Sequence, residues 1–473
     1  MFGLETDIFI LLSICILCAC AFEFVNGFHD TANAVATVIY TNSLKPTTAV
    51  IWSGCWNFLG VILGGIAVAM GIVNLLPVEL LIDQNVYHSI AMALSLLLSA
   101  IIWNFGTWYF GLPSSSSHTL IGSILGVGLA FSTMPEAVDG AGVNWDKAKE
   151  IFSALLLSPL IGFSLAVGLM FVLRRALNKE TRDQVFSEPK KNQQPPFWVR
   201  GLLILTCTLV SFFHGNNDGQ KGVGLVMLIL IGIVPAYFAL NDQIDPQLMK
   251  SNLVAIEQTV TKIDTNLIGI DEKKRLSSIR SSSADLMQVV NAETSNGKIN
   301  PNYRLEARRD ILVINSNLKK LMDSESVNFS GQDKKIIKDN TDDKKGLGRM
   351  TDYAPFWVVL MISLSLGLGT MVGWKRIVVT VGEKIGKSHL TYAQGAAAEL
   401  VAASTIGLAS GFGLPVSTTH MLSSGIAGTM VASKGIKNLQ AKTVRNILMA
   451  WVLTLPVSIF LSFTLYVILR WIL

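Results

Sequence analysis

The sequence predicts an all-α polytopic membrane protein: an inverted internal repeat with two broken helices and two helical hairpins, carrying a soluble helical insert. Three observations predict it. The 473 residues are 51% hydrophobic and 15% charged, with a mean hydropathy of +0.48, a composition of polytopic membrane proteins. Apolar stretches long enough to cross a bilayer recur along the chain. Two polar motifs in the first half also return in the same order in the second, as in carriers built from repeats.

The first membrane repeat occupies 1–175. Residues 8–42 are apolar, interrupted by a polar cluster from Glu23 to Asn33 that reads as a break. Residues 47–76 form a span whose glycines (Gly54, Gly60, Gly64, Gly65) let helices approach closely in lipid. Residues 86–110 lead into Gly111-Leu112-Pro113-Ser114-Ser115-Ser116-Ser117-His118, whose second arm runs to residue 131. Residues 149–173 span again and end in Arg174-Arg175. A charged linker, 176–196, closes on Pro195-Pro196.

The second repeat begins at 197–240, interrupted by His214-Gly215-Asn216-Asn217-Asp218-Gly219-Gln220-Lys221. The polar stretch 241–352 is too long for a loop. Its amphipathic runs, Leu253-Ile256-Val260 and Ile311-Ile314-Leu318-Leu321, read as a helical domain outside the bilayer. Membrane helices resume over 353–473: 354–381, 391–412, the break Gly413-Leu414-Pro415-Val416-Ser417-Thr418-Thr419-His420 with its arm to 433, and 443–472.

Lys and Arg in short loops set orientation. The 174–200 linker and the stretch holding Lys375, Arg376, Lys384 and Lys387 are basic and read as cytoplasmic, which puts the N-terminus and insert outside and inverts the halves. Lys434, Lys437, Lys442 and Arg445 fit this less cleanly. The net charge of +5 belongs to topology, not to nucleic-acid binding. Five cysteines all lie in apolar segments and read as core, and the N-terminus lacks a basic leader and reads as a retained first helix.

Each Gly-Leu-Pro should stop a helix, because proline lacks the N–H and collides with the preceding turn. Serine or threonine then caps the next helix, and the free N–H groups behind the cap form an anion site. Ser115, Ser116, Ser117, Ser417, Thr418 and Thr419 are the candidates for oxyanion contact. One isolated copy would read as a simple cap; duplication inside apolar sequence makes the pair a site. His118 and His420 either donate to the anion or orient the hairpin from behind. A hydrolase using Ser117 and His118 is disfavoured, since adjacent helix residues point apart and no third group orients them.

The other motif pair aligns Gly27 with Gly215, Asp30 with Asp218, and Asn33 with Lys221. The plain structural reading is that the aspartates cap broken helices. An ionisable group inside an apolar span twice over favours a functional site instead. A carboxylate beside an amide suits Na⁺ or a held proton, so Asp30, Asn33, Asp218 and Asn217 form the coupling-ion group, with Gln220 assigned to the substrate. Lys221 places an ammonium where the other half can hold a cation, which predicts that one ion site is replaced by a fixed charge and that protons drive the carrier. His29 and His214 are candidates for proton movement, against simple packing. Glu399, a lone carboxylate in a small-residue helix, joins them ahead of Glu23. Asn57 and Asn104 are expected to hydrogen-bond between helices, and the tryptophans, Trp451 included, to anchor or pack.

Asn26-Gly27-Phe28-His29-Asp30-Thr31-Ala32-Asn33 and His214 to Gly222 resemble the twin signatures of the inorganic phosphate transporter (Pit) family, and the two Gly-Leu-Pro motifs resemble its substrate hairpins. Four motifs in order across both halves make the resemblance specific, and within the family it points to the bacterial low-affinity phosphate permeases. The resemblance implies inverted repeats with phosphate between the hairpins, proton symport, phosphate carried as a neutral complex with Mg²⁺ or another divalent cation, and a bacterial inner membrane. It implies no enzymatic activity and no resident cofactor or metal. Asn216 stands where the family has alanine, and Phe213 where it has serine. The alternatives are sodium-coupled symport, a permease for sulfate or another tetrahedral oxyanion, and a sensor or scaffold acting through the insert. A homodimer is compatible with all of them. Cotransport makes physical sense, because each charge moved against the membrane potential costs about 2.3 kcal/mol per 100 mV.

Overall fold

Apolar runs in lipid become helices because each backbone N–H and C=O must be satisfied within its own segment. The computed structural model describes residues 3–75, 85–135, 143–190, 193–292, 294–295 and 298–473, and among these it is nearly all helical. The first half holds α1 (Thr6–Tyr40), α2 (Pro46–Leu63), α3 (Ala67–Val73), α4 (Val86–Tyr109), α5 (Ser116–Ser132) and α6 (Trp145–Ala176). The linker carries α7 (Lys179–Val185). Then come α8 (Phe197–His214), a π-turn (Gly215–Gly219) and α9 (Gln220–Ile233). The insert contains α10 (Pro246–Val260), α11 (Ile270–Ala292), α12 (Arg304–Asp323) and α13 (Gly331–Thr341). The chain ends in α14 (Phe356–Thr370), α15 (Lys375–Glu383), α16 (Tyr392–Gly411), α17 (Thr418–Lys434) and α18 (Ala441–Ile472). Six helical spans among the described residues are long and apolar enough to cross a membrane, and the α14–α15 pair, bent by 65°, would make a seventh.

The expected breaks in the two Asp-bearing helices are corrected. α1 runs unbroken through Glu23–Asn33, and the second copy keeps its helical path through a π-turn. No residue of either cluster is proline, and polar side chains alone do not stop a helix. Thr31 Oγ1 lies 2.5 Å from Gly27 O and 2.9 Å from Thr370 O, sharing its one proton between its own helix and α14. The π-turn, flanked by Gly215 and Gly219, absorbs one extra residue, as such bulges often do at functional sites.

The two Gly-Leu-Pro segments do break the chain, and in the same way. Leu112 N donates to Thr107 O and Gly111 N to Trp108 O; Leu414 N donates to Ala409 O and Gly413 N to Ser410 O. This is the Schellman stop, with glycine in the left-handed region (φ +66° at Gly111, +68° at Gly413) and an apolar residue after it. Each pair of arms then packs together, through Ser99 Oγ to Ser123 Oγ (2.7 Å) in one and Gln394 Nε2 to Thr429 O (3.4 Å) in the other.

Thr6–Ile229 and Pro355–Leu473 form one compact unit. The motif glycines seat helices of one half against the other. A Cβ on Gly27 would lie 2.5 Å from Leu366 O, and one on Gly215 would lie 2.1 Å from Asn57 O. The basic segments that fitted the orientation unevenly gather on one face. Lys434 pairs with Glu188 at 3.1 Å, Arg174 donates to Ser433 O, and Gly386 pairs with Leu439. Arg200 donates to Ser43 O on the same face.

The second compact unit is built mainly from Leu230–Ala354, with a two-residue antiparallel ladder (Thr294–Ser295 with Lys298–Ile299) as its strand content among the described residues. The predicted amphipathic faces close its core: Leu253, Ile256 and Val260 lie buried with Ile311, Ile314 and Leu318. Arg308, fully buried, donates to Ala239 O (3.2 Å) and Thr351 O (2.7 Å), tying the start of the unit to its end. Burial, with Asp343 alongside, pushes the nearby Asp352 carboxyl up from 3.8 to about 6. The folded unit therefore holds that proton more tightly than the unfolded chain, so the stabilisation is full below about pH 4 and lost as pH rises through 6. The unit should be about 1 kcal/mol more stable at pH 5 than at pH 7.5 from this group. Native-state hydrogen exchange over 300–354, corrected for intrinsic rates, reads the difference, and Asp352→Asn should remove it.

Candidate functional site

The site grows from the two Schellman stops. After each proline the chain extends into a cap, Ser115 at φ −99°, ψ 112° and Ser417 at φ −89°, ψ 103°. Ser115 Oγ accepts from His118 N at 3.2 Å, and Ser417 Oγ accepts from His420 N at 3.1 Å. The helix starts meet: Ser117 Oγ donates to Val416 O at 2.8 Å, and the rings of His118 and His420 lie 4.5 Å apart. Ser115, Ser116, Ser117, Ser417, Thr418 and Thr419 are all buried.

The Asp-bearing helices supply the ionic partners. Ser116 Oγ donates to Asp30 Oδ2 at 3.2 Å, and Thr418 Oγ1 donates to Asp218 Oδ2 at 3.3 Å, so the hydroxyl two residues before each motif's histidine serves the aspartate of its own half. The hydroxyl directly before each histidine crosses over. Thr419 Oγ1 donates to Asp30, and Lys221 Nζ donates to Ser117 Oγ at 2.5 Å. Lys221 also donates to Asp218 Oδ1 (2.5 Å) and Val416 O (3.0 Å). Asp30, Asp218 and Lys221 are each at most 2% exposed, so the ion pair works at low dielectric, where its geometry is expensive to disturb.

The histidines before the aspartates join this cluster. His214 Nε2 lies 3.3 Å from Asp218 Oδ2 and 3.7 Å from Asp30 Oδ2, bridging the two carboxylates. His29 Nδ1 lies 3.4 Å from Asp30 Oδ1, and its Nε2 lies 3.3 Å from Thr107 Oγ1 and from Ser114 Oγ. Asp30, His214 and Asp218 can each offer one ligand atom within a 4.8 Å set, a cluster able to hold a cation that sequence reasoning did not single out as a metal site. Asn57, expected to bridge helices, does so: its Oδ1 lies 2.8 Å from His214 Nδ1, and its Nδ2 donates to Thr370 Oγ1 at 3.0 Å. Asn104, expected to do the same, makes no side-chain hydrogen bond among the described residues.

Three assigned residues are placed elsewhere. Gln220, read as a substrate contact, spends its amide on the connection between α2 and α3: Oε1 accepts from Val68 N (2.8 Å), and Nε2 donates to Gly64 O (2.7 Å) and to Asn216 Oδ1 (2.8 Å). The Asn216 departure thus supplies that anchor. Asn217 holds the second break in shape, donating to Ser410 Oγ and Leu414 O and accepting from Val416 N. Glu399 accepts from Thr206 Oγ1 at 2.5 Å between α16 and α8, and shares no hydrogen bond with the aspartate cluster among the described residues. The side chain of Asn33 lies outside the described residues. Glu23, ranked behind Glu399, accepts from Asn26 and lies where a Cβ on Gly222 would meet its Oε1 at 2.5 Å, next to Lys221 in the chain. The departure Phe213 packs against Gly407.

Trp451, expected to anchor or pack, does pack against the core; it also stacks on His420 (3.9 Å between ring centres) and donates Nε1 to Pro113 O at 3.0 Å, so it ties both breaks together. No local pattern on α18 could have shown this.

A polytopic helical fold with a duplicated, buried, ionic site between its two halves defines a membrane transporter and not an enzyme. The chain belongs to the phosphate transporter family, whose model matches residues 26–462. It is 42% identical to the low-affinity inorganic phosphate transporter PitB of Escherichia coli strain K12, over 98% of this chain and 97% of that one. It is 29% identical to the probable low-affinity inorganic phosphate transporter of Bacillus subtilis strain 168, over 98% and 99% of the two chains. A solved structure, the sodium-dependent phosphate transporter, has a similar fold (TM-score 0.56, 20% identity, covering 98% of this chain and 100% of that one).

Proposed function

We propose that the chain imports inorganic phosphate across a bacterial inner membrane by proton symport, with phosphate moving free or as a neutral complex with Mg²⁺ or another divalent cation. The observation that carries this reading is the meeting of the two capped helix starts around the Lys221 ammonium. Helix-start N–H groups and hydroxyls donate to an oxyanion without adding fixed negative charge. A phosphate that takes over Ser117, Thr419 and the Lys221 ammonium is bound by both halves at once.

Charge balance supports a cotransported cation. Asp30 and Asp218 face one ammonium, so an arriving phosphate anion needs a proton or divalent cation beside it, and the carboxylates with His214 are the groups able to hold one. The matched pairings of Ser116 with Asp30 and Thr418 with Asp218 fit two inverted repeats that rock about the anion. The face that collects Arg174, Arg200 and Lys434 is then cytoplasmic.

Uptake of labelled phosphate into proteoliposomes, with proton, sodium and magnesium gradients varied separately, tests the reading. Proton-driven uptake that is indifferent to sodium is expected. A requirement for sodium would overturn proton coupling, and equal competition by sulfate would overturn the substrate. Lys221→Asn should restore an amide where the ammonium stood and make residual uptake sodium-dependent, read in the same vesicles.

A further inference from the structure

α15 leaves α14 at a 65° bend and buries Ile377, Val378 and Val381 while Lys375, Arg376 and Lys384 stay exposed. A short amphipathic helix with a basic outer side suits the membrane interface. Beside it lies the end of α4, where Tyr109 and Phe110 are exposed. These stretches line an open groove of about 620 Å³ whose walls carry three cationic side chains and no carboxylate.

Arg376 is already positioned there. Its Nη1 donates to Tyr109 O at 2.6 Å, and its guanidinium lies 5.1 Å from the Trp108 ring centre and 4.9 Å from that of Tyr109. Its other N–H groups, and the ammonium groups of Lys375 and Lys384, have no hydrogen-bond partner among the described residues. Just past Lys384, Gly386 pairs with Leu439 on the face where the basic segments gather. Anionic lipids concentrate at the cytoplasmic leaflet, the side that positive loops select. Exposed aromatic rings beside basic groups match a head group better than a wholly solvated ion.

We propose that this groove binds the phosphodiester head group of an anionic phospholipid. Gly111 forms part of the groove wall, and Thr380 Oγ1 from α15 donates to Gly111 O at 2.8 Å. A bound head group therefore braces the loop that leads into Ser115 and α5; the proposal rests on the groove and on the cytoplasmic orientation of its face, and stands whatever ion drives transport.

Native mass spectrometry of the full chain in neutral detergent, titrated with phosphatidylglycerol or phosphatidylcholine, tests it. Preferential retention of phosphatidylglycerol is expected. Lys375→Gln with Lys384→Gln leaves the Arg376–Tyr109 bond intact and should weaken that retention about fivefold for each lysine. Arg376→Gln should weaken it further where the variant folds. Equal retention of the two lipids, or undiminished binding by the double-lysine variant, overturns the proposal. Displacement of phosphatidylglycerol by millimolar inorganic phosphate also overturns it, by assigning the groove to the free anion.

Discussion

Asp30→Asn should cut phosphate uptake at least a hundredfold while leaving the protein folded. The carboxylate accepts from Ser116 and from Thr419, one hydroxyl from each hairpin, and lies 3.4 Å from His29 and 3.7 Å from His214. An asparagine keeps the shape but removes the charge and turns one oxygen into a donor. Hydrogen bonds to a charged group contribute about 1.5–3 kcal/mol each, so losing two charge-assisted bonds, about 3–6 kcal/mol, predicts a fall of roughly two to four orders of magnitude. Initial rates of labelled phosphate uptake, normalised to monodisperse protein by size-exclusion, check it. Uptake within a factor of three of wild type would show that Asp30 is only a structural acceptor.

Gly215→Val should have a different signature, the loss of the folded protein itself. The Cβ would stand 2.1 Å from Asn57 O and 2.8 Å from Asn57 C, both backbone atoms of α2, so no side-chain rotation relieves the clash. Moving the helices apart would also break the 2.8 Å contact between His214 and Asn57. Overpacking a tight contact costs about 1–3 kcal/mol even where side chains can yield, so the loss here should exceed about 3 kcal/mol. Fluorescence-detected size-exclusion should show little monodisperse protein. Gly201→Val, with open space at its Cβ, is the control and should express normally.

The two Gly-Leu-Pro stops were legible because proline, glycine and a serine cap each act within a few residues. The aspartates were legible because a charge inside an apolar span stands out. What the sequence concealed was direction. The clusters around Asp30 and Asp218 looked like breaks, yet their polar groups find partners across the bundle and the helical path continues. The exchange of Ser117 and Thr419 between halves joins Lys221 to a hydroxyl 104 residues away and Asp30 to one 389 away, and no local period encodes such distances. Gln220 sat in the right motif but faces the α2–α3 connection, because the π-turn resets the direction of each following side chain. The partners that Trp451 packs against were hidden for the same reason, since His420 and Pro113 belong to the two breaks and not to its own helix.

That exchange also bears on the protein's ancestry. A lone half would present an acidic anchor with no threonine from across the bundle, or a buried ammonium with no serine to receive it. Such a fragment becomes complete only by embracing a second one, so two short polypeptides that associate would satisfy these groups where a solitary one leaves them unmatched.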